Sequence, residues 1–173
     1  MDKKPLNKRL ILAVVFWAAT IIWMAVIFSM SAKTAAQSSG MSGGLIERLA
    51  TLFKAGFSDL SAAEQAVYIE SLQGIVRTVA HLLEFCFLGF LLSGGFKFSL
   101  PSKFKFTLFA VGTGWIYSLT DEVHQLFVPG RAFQIKDIAV DWAGVALGVA
   151  FGCMVFAIAR LIIITKKKSC DAQ

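Results

Sequence analysis

The chain has 173 residues, enough for one soluble domain, but 57% of them are hydrophobic, only 16% are charged, and the formal net charge is +6. A soluble domain carries roughly a quarter charged residues, so this composition excludes disorder, collagen and coiled coil, and three cysteines are too few and too odd for a disulfide scaffold. The chain calls for an apolar solvent, which makes the lipid bilayer its expected partner. Its basic residues sit beside long apolar runs, as membrane flanks do, and with no nucleic-acid motif in view nucleic acid is set aside as a partner.

Residues 1–9 form a basic N-terminus with Lys3, Lys4, Lys8 and Arg9. Leu10 to Phe28 follows as nineteen uncharged residues, close to the ~20 that carry a helix across the hydrocarbon core. The competing reading is a cleaved signal peptide ending in the small residues Ser29–Ala32. Signal cores usually run only ~7–15 residues, so the stretch reads as a retained span. Ser29–Gly44 is small and polar and reads as a loop. Leu45, Ile46, Leu49, Leu52, Phe53 and Phe57 then recur at helical spacing, and Ser61-x-x-Glu64 reads as a capping box opening another helix. Two short amphipathic helices at the outer interface are expected over about 45–76.

Thr78–Phe96 is a second apolar stretch, interrupted only by His81 and Glu84. A basic turn with Lys97, Lys103 and Lys105 leads to a third, Phe106–Thr120, and Phe127-Val128-Pro129-Gly130-Arg131 reads as a tight turn. Ile138–Ala159 is the fourth, with Asp141 near its start and Gly144, Gly148 and Gly152 on one face, a spacing that allows close helix approach. The expected fold is all-α: an integral membrane four-helix bundle, with spans at about 10–28, 78–96, 106–122 and 138–160 in a single domain over 10–165, and a basic tail at 166–173.

Four spans put both ends of the chain on one side. That side collects the four N-terminal basic residues, the three of the turn, and Arg160, Lys166, Lys167 and Lys168; the other side holds Lys33, Arg48, Lys54, Arg77, Arg131 and Lys136. Eleven against six places both termini in the cytoplasm by the positive-inside rule. Cys86 and Cys153 fall inside spans and Cys170 in the tail, which leaves no cysteine for an outside disulfide.

Polar chemistry gathers near the outer edge. Arg77, His81 and Glu84 share one face of span two at i, i+4 and i+7, and Glu84 lies about 10 Å deeper than Arg77. An ionisable group at that depth needs a partner or water. Asp121, His124 and Gln125 share a face at the end of span three, while Glu122 points elsewhere. Asp137 and Asp141 open span four, and Arg131 sits in the preceding turn.

At these residues the sequence resembles the VanZ-like membrane proteins. The resemblance is carried by Trp23-x-x-x-Ile27-Phe28-Ser29 with Ser31 and the Ser38–Gly44 stretch, then by Val76-Arg77-x-x-x-His81-x-x-Glu84-Phe85-x-x-Leu88-Gly89. The third block is Asp121-Glu122-x-His124-Gln125-x-Phe127-Val128-Pro129-Gly130-Arg131 with Asp137-x-x-x-Asp141-x-x-Gly144. The blocks cover about residues 10–155, with Phe85 where the family more often has Tyr and Ala132-Phe133 where it has small polar residues. The resemblance implies a multi-pass protein of the bacterial inner membrane, and the family's namesake is linked to resistance against the glycopeptide teicoplanin.

Three readings of the polar layer stay open. In an enzyme, Glu84, Asp121, His124 and Asp141 are the candidate catalytic groups, and Arg77, His81, Gln125, Arg131 and Asp137 the candidate substrate-binding ones. A divalent metal, not favoured, would draw on His81, Glu84, Asp121, His124 and Asp141. No HExxH and no nucleophile motif is present, and Ser29, Ser31, Ser38, Ser39 and Ser42 read as ordinary loop serines. In a binding protein, the same pocket takes an amphiphilic envelope molecule: a lipid-linked precursor, a lipid headgroup or a glycopeptide drug. In a structural bundle, Arg77–Asp121, Arg131–Asp137 and His81–Glu84 pair to lock one end.

Overall fold

The computed structural model describes residues 7–171, apart from the side chains at 103 and 167–171. Lys3 and Lys4 of the basic N-terminus lie outside the described residues, as do the side chains of Lys103, Lys167, Lys168 and Cys170. All regular structure among the described residues is helical: α1 Lys8–Ser31, α2 Ala35–Phe53, a 3-10 turn Phe57–Asp59, α3 Ala62–Ser99, α4 Lys103–Gln125 and α5 Ile135–Asp171. Three stretches are long and apolar enough to cross a membrane, Lys8–Ser31, Ala62–Ser99 and Ile135–Lys166.

The first helix starts where the Asn7 side chain accepts from the Arg9 N–H at 3.0 Å, a standard N-cap. Its buried residues Ala13, Thr20, Ile27 and Ser31 trace a narrow seam, while most of the remaining apolar surface faces outward, as lipid contact requires.

The expected loop over Ser29–Gly44 is corrected: all but a short link of it is helical. Thr34 accepts from Gln37 N–H while the Gln37 side chain accepts from Thr34 N–H, so a capping box starts α2 where a run of Ser and Gly had suggested none. Packing on α3 completes the helix, with Ile46 and Ala50 buried. Helix propensity is a weak prior that such packing overrides.

After α2 the chain turns at Gly56, φ 73°, and buries Phe57 beneath Tyr68. Ser61 and Glu64 then form the expected capping box. The helix it opens runs unbroken for 38 residues, so the expected separate interfacial helix and span two are one element. No proline or second cap intervenes between Ala62 and Ser99, and Gly74 alone does not break a helix of this length.

The long helix is the hub, packing against α5, α1, α4 and α2. Ile27, Phe85, Leu88, Leu92, Ala110, Val145 and Val149 form the core, with Trp17, Trp23, Phe96 and Tyr117 packed on it. The glycine stripe of α5 faces α3 at backbone distance. A Cβ at Gly144 would stand 2.6 Å from the Leu82 carbonyl oxygen, and one at Gly148 would overlap that of Cys86. The absence of side chains at these two positions therefore sets the approach of the two helices.

Candidate functional site

That approach fixes a register. Arg77 Nη2 donates to Asp137 Oδ2 at 3.1 Å, and one turn on His81 Nδ1 meets Asp141 Oδ1 at 3.1 Å. Both pairs are separated by the same 60 residues, so α3 and α5 run parallel and these pairs are successive rungs between them. Asp141, 1% exposed, also accepts from Ser118 Oγ at 3.0 Å. Both of its oxygens are thus held by protein.

A second network ties α1 to α4. Asp121 Oδ2 accepts from Ser31 Oγ at 2.8 Å and from Gln125 Nε2 at 3.2 Å. Ser31 is therefore a buried partner rather than an ordinary loop serine. Glu122, expected to point elsewhere, is also buried and accepts from the Gln134 backbone N–H at 2.6 Å, clamping the strand of chain that leads into α5.

Between these networks lies a cavity of about 190 Å³. Arg77, His81 and Glu84 form its α3 wall, as their shared face predicted, and Gln125 and Arg131 face them. The remaining wall is Ser31, Lys33 and the inner side of α2, with Met30, Met41 and Leu45 supplying apolar surface. Arg131 is positioned by the Val128–Arg131 turn, which Gly130 completes at φ 77°. Its Nε donates to the Lys33 carbonyl at 3.3 Å, and its two terminal nitrogens have no acceptor among the described residues. Burial, then the neighbouring Arg77 charge, pulls the Arg131 guanidinium below its ordinary value.

The expected pairings are corrected. Arg77 pairs with Asp137 rather than Asp121, His81 with Asp141 rather than Glu84, and Arg131 bonds a carbonyl rather than Asp137. The Glu84 carboxylate makes no hydrogen bond to another described residue, although its backbone carbonyl accepts from Trp23 Nε1 at 2.9 Å. His124 is not brought to the cavity wall; its ring stacks on Phe28 with centroids 4.2 Å apart. No set of three His, Cys, Asp or Glu side chains among the described residues is arranged to hold a metal, the candidate ligands His81, Glu84, Asp121, His124 and Asp141 included.

Several buried polar atoms have no partner among the described residues: Arg77 Nε, Gln125 Oε1, Asp121 Oδ1, Glu122 Oε2 and His124 Nε2. The first two belong to cavity-lining residues. Such groups cost about 1–3 kcal/mol each unless water or a ligand satisfies them. The sequence reading missed Ser118. Its signal was a hydroxyl one turn before Asp121 within an apolar run.

A family model described as VanZ/LLP1 matches residues 16–159. No curated protein and no solved structure matches the chain.

Proposed function

The chain belongs to the VanZ/LLP1 family, and from that premise we propose that the cavity binds the anionic headgroup of an amphiphilic envelope molecule. The observation that carries this is the pair of guanidiniums, Arg77 and Arg131, lining one cavity in which neither terminal nitrogen of Arg131 is bonded by a described residue. An anion between them relieves the repulsion and accepts in the forked geometry that phosphate and carboxylate favour. Lys33 adds a third cation to the lining and Glu84 the single carboxylate. The apolar outer surfaces of α1 and α3 offer a course for the molecule's hydrocarbon part.

On this reading the protein is a four-span protein of the bacterial inner membrane, with both termini cytoplasmic and the cavity at the outer face. Parallel α3 and α5 support a fourth crossing, because α4 must return the chain between them. A lipid headgroup, a lipid-linked precursor and a glycopeptide of the teicoplanin type all carry suitable anionic groups, and contribution to glycopeptide resistance follows if the last is bound. A scaffold role is favoured for His81 and Asp141, whose two oxygens are taken by His81 and Ser118, while Arg77 keeps its Nε unbonded among the described residues beside the Asp137 pair, so binding falls mainly to Arg77, Arg131 and Gln125.

The test is thermal unfolding of the detergent-solubilised full chain with dihexanoyl phosphatidic acid, against dihexanoyl phosphatidylcholine. The anionic lipid should stabilise the protein selectively. Arg131→Gln should weaken that effect by about tenfold to a hundredfold in concentration, as loss of a charge-assisted bond of about 1.5–3 kcal/mol requires. Equal stabilisation by both lipids would defeat the proposal.

A further inference from the structure

The opposite end of the molecule holds a second cavity, of about 480 Å³, between the end of α3, the start of α4 and α5. It belongs to none of the chemistry above. Its wall is Phe106, Phe156, Leu161 and Ile164, and at its edge stand Lys97 and Arg160. The Lys97 ammonium lies over the rings of Phe106 and Phe156, 5.5 and 5.1 Å from their centroids. This holds it against the groove rather than out in solvent.

Neither cation has a carboxylate partner among the described residues, whose two ion pairs both lie at the other end. More charge of the same sign surrounds them: Arg9 Nε donates to the Phe98 carbonyl at 2.9 Å, and Lys105 and Lys166 belong to the same end. The acidic residues nearest in sequence to this end are Asp2 and Asp171, neither with a described side chain. Lys97 closes one membrane-length helix and Arg160 lies in the last turns of another; Phe106 and Phe156 lie toward the middle of the bundle from Arg160, while Leu161 and Ile164 follow it along α5.

We infer that this groove is a binding site for an anionic phospholipid of the leaflet bordering the α3–α4 turn, with the phosphate between Lys97 and Arg160 and an acyl chain starting along Phe106 and Phe156. The groove is apolar where a chain would lie and cationic where a phosphate would lie. Basic pockets between membrane helices recognise acidic lipids on these terms.

The experiment is native mass spectrometry of the full chain released from nanodiscs of equal dioleoyl phosphatidylglycerol and dioleoyl phosphatidylcholine. Two cations at one headgroup correspond to a preference for phosphatidylglycerol of about tenfold to thirtyfold. In an Arg131→Gln background, which removes the anion site of the other cavity, the double variant Lys97→Gln with Arg160→Gln should reduce it to about twofold or less, while Arg48→Gln, on the exposed side of α2, should leave it intact. If the double variant does not fold, raising the salt concentration on the unaltered protein should shrink the preference in the same direction. Equal retention of both lipids, or a preference untouched by the double variant, would overturn the inference. So would competition by soluble glycerol 3-phosphate at the concentration of the lipid, because the apolar wall would then contribute nothing.

Discussion

Glu84→Gln separates binding chemistry from scaffold. The carboxylate lines the cavity and accepts no hydrogen bond from another described residue, and the bond from Trp23 to the backbone carbonyl survives the substitution. Gln keeps the volume, so no void opens. With no hydrogen bond lost, the stability change should stay within about 0.5 kcal/mol, as for sites without a named destabilising mechanism. For a chain of this size that is a melting shift of about 1–2 °C. Asp141→Ala is the contrast. It removes the acceptor of both His81 and Ser118 at a position 1% exposed, and breaking one partner of a buried pair costs about 3–5 kcal/mol, about 6–20 °C. The assay is unfolding of both variants in one detergent, paired with phosphatidic acid stabilisation of the folded fraction. Glu84→Gln should melt with the unaltered protein but respond differently to the ligand. If it melts as early as Asp141→Ala, the carboxylate has a structural partner and the reasoning fails.

Other substitutions probe the frame. Gly148→Leu forces a side chain into the Cys86 carbonyl and should lower stability by at least the ~1–3 kcal/mol of an overpacked core, seen as early melting, whereas Gly40→Ala, with open space around it, should be neutral or slightly stabilising. A cysteine at exposed Ser39 should react with an impermeant maleimide on intact cells and Cys170 should not; the reverse pattern would invert the proposed orientation. The Ser61 hydroxyl, and next its backbone N–H, hold Glu64 below its ordinary value of 4.5. A depressed carboxylate adds stability that is present above that ordinary value and lost as pH falls through the lower folded one. The melting difference between the unaltered protein and Ser61→Ala should therefore narrow on acidification below about pH 4.5, and a constant difference would remove the linkage.

The sequence made the elements with strong local signals legible. Ser61 and Glu64 announced a helix start, the uncharged stretch from Leu10 announced a long apolar helix, and the spacing of Arg77, His81 and Glu84 named a shared wall. The three ordered blocks also pointed to the family that the match over residues 16–159 establishes. What failed were questions that periodicity cannot answer. A helical face shows which side Arg77 occupies, but choosing Asp137 over Asp121 needs the relative register of two helices, which the glycine contacts of α5 set. Glu122 points about 100° around α4 from Asp121 and is still buried, because the chain leading into α5 folds back over it. The helix over Ala35–Phe53 was hidden because serine and glycine usually mark turns, and only burial against α3 decides otherwise.

The unbroken course of α3 has a mechanical meaning. The helix is gripped where the α5 backbone meets Leu82 and Cys86, and from that fulcrum its arm, backed by α2, reaches back to Ala62, about 30 Å at 1.5 Å per residue. Arg77 lies on the same arm only about 7 Å out. Tilting a stiff lever by about 5° carries its tip through about 3 Å and Arg77 through less than about 1 Å, given that length. A push against the tip at Ala62 thus arrives at the guanidinium with about a quarter of the travel and four times the force. Whatever touches the far end of the arm works on the cavity wall with mechanical advantage.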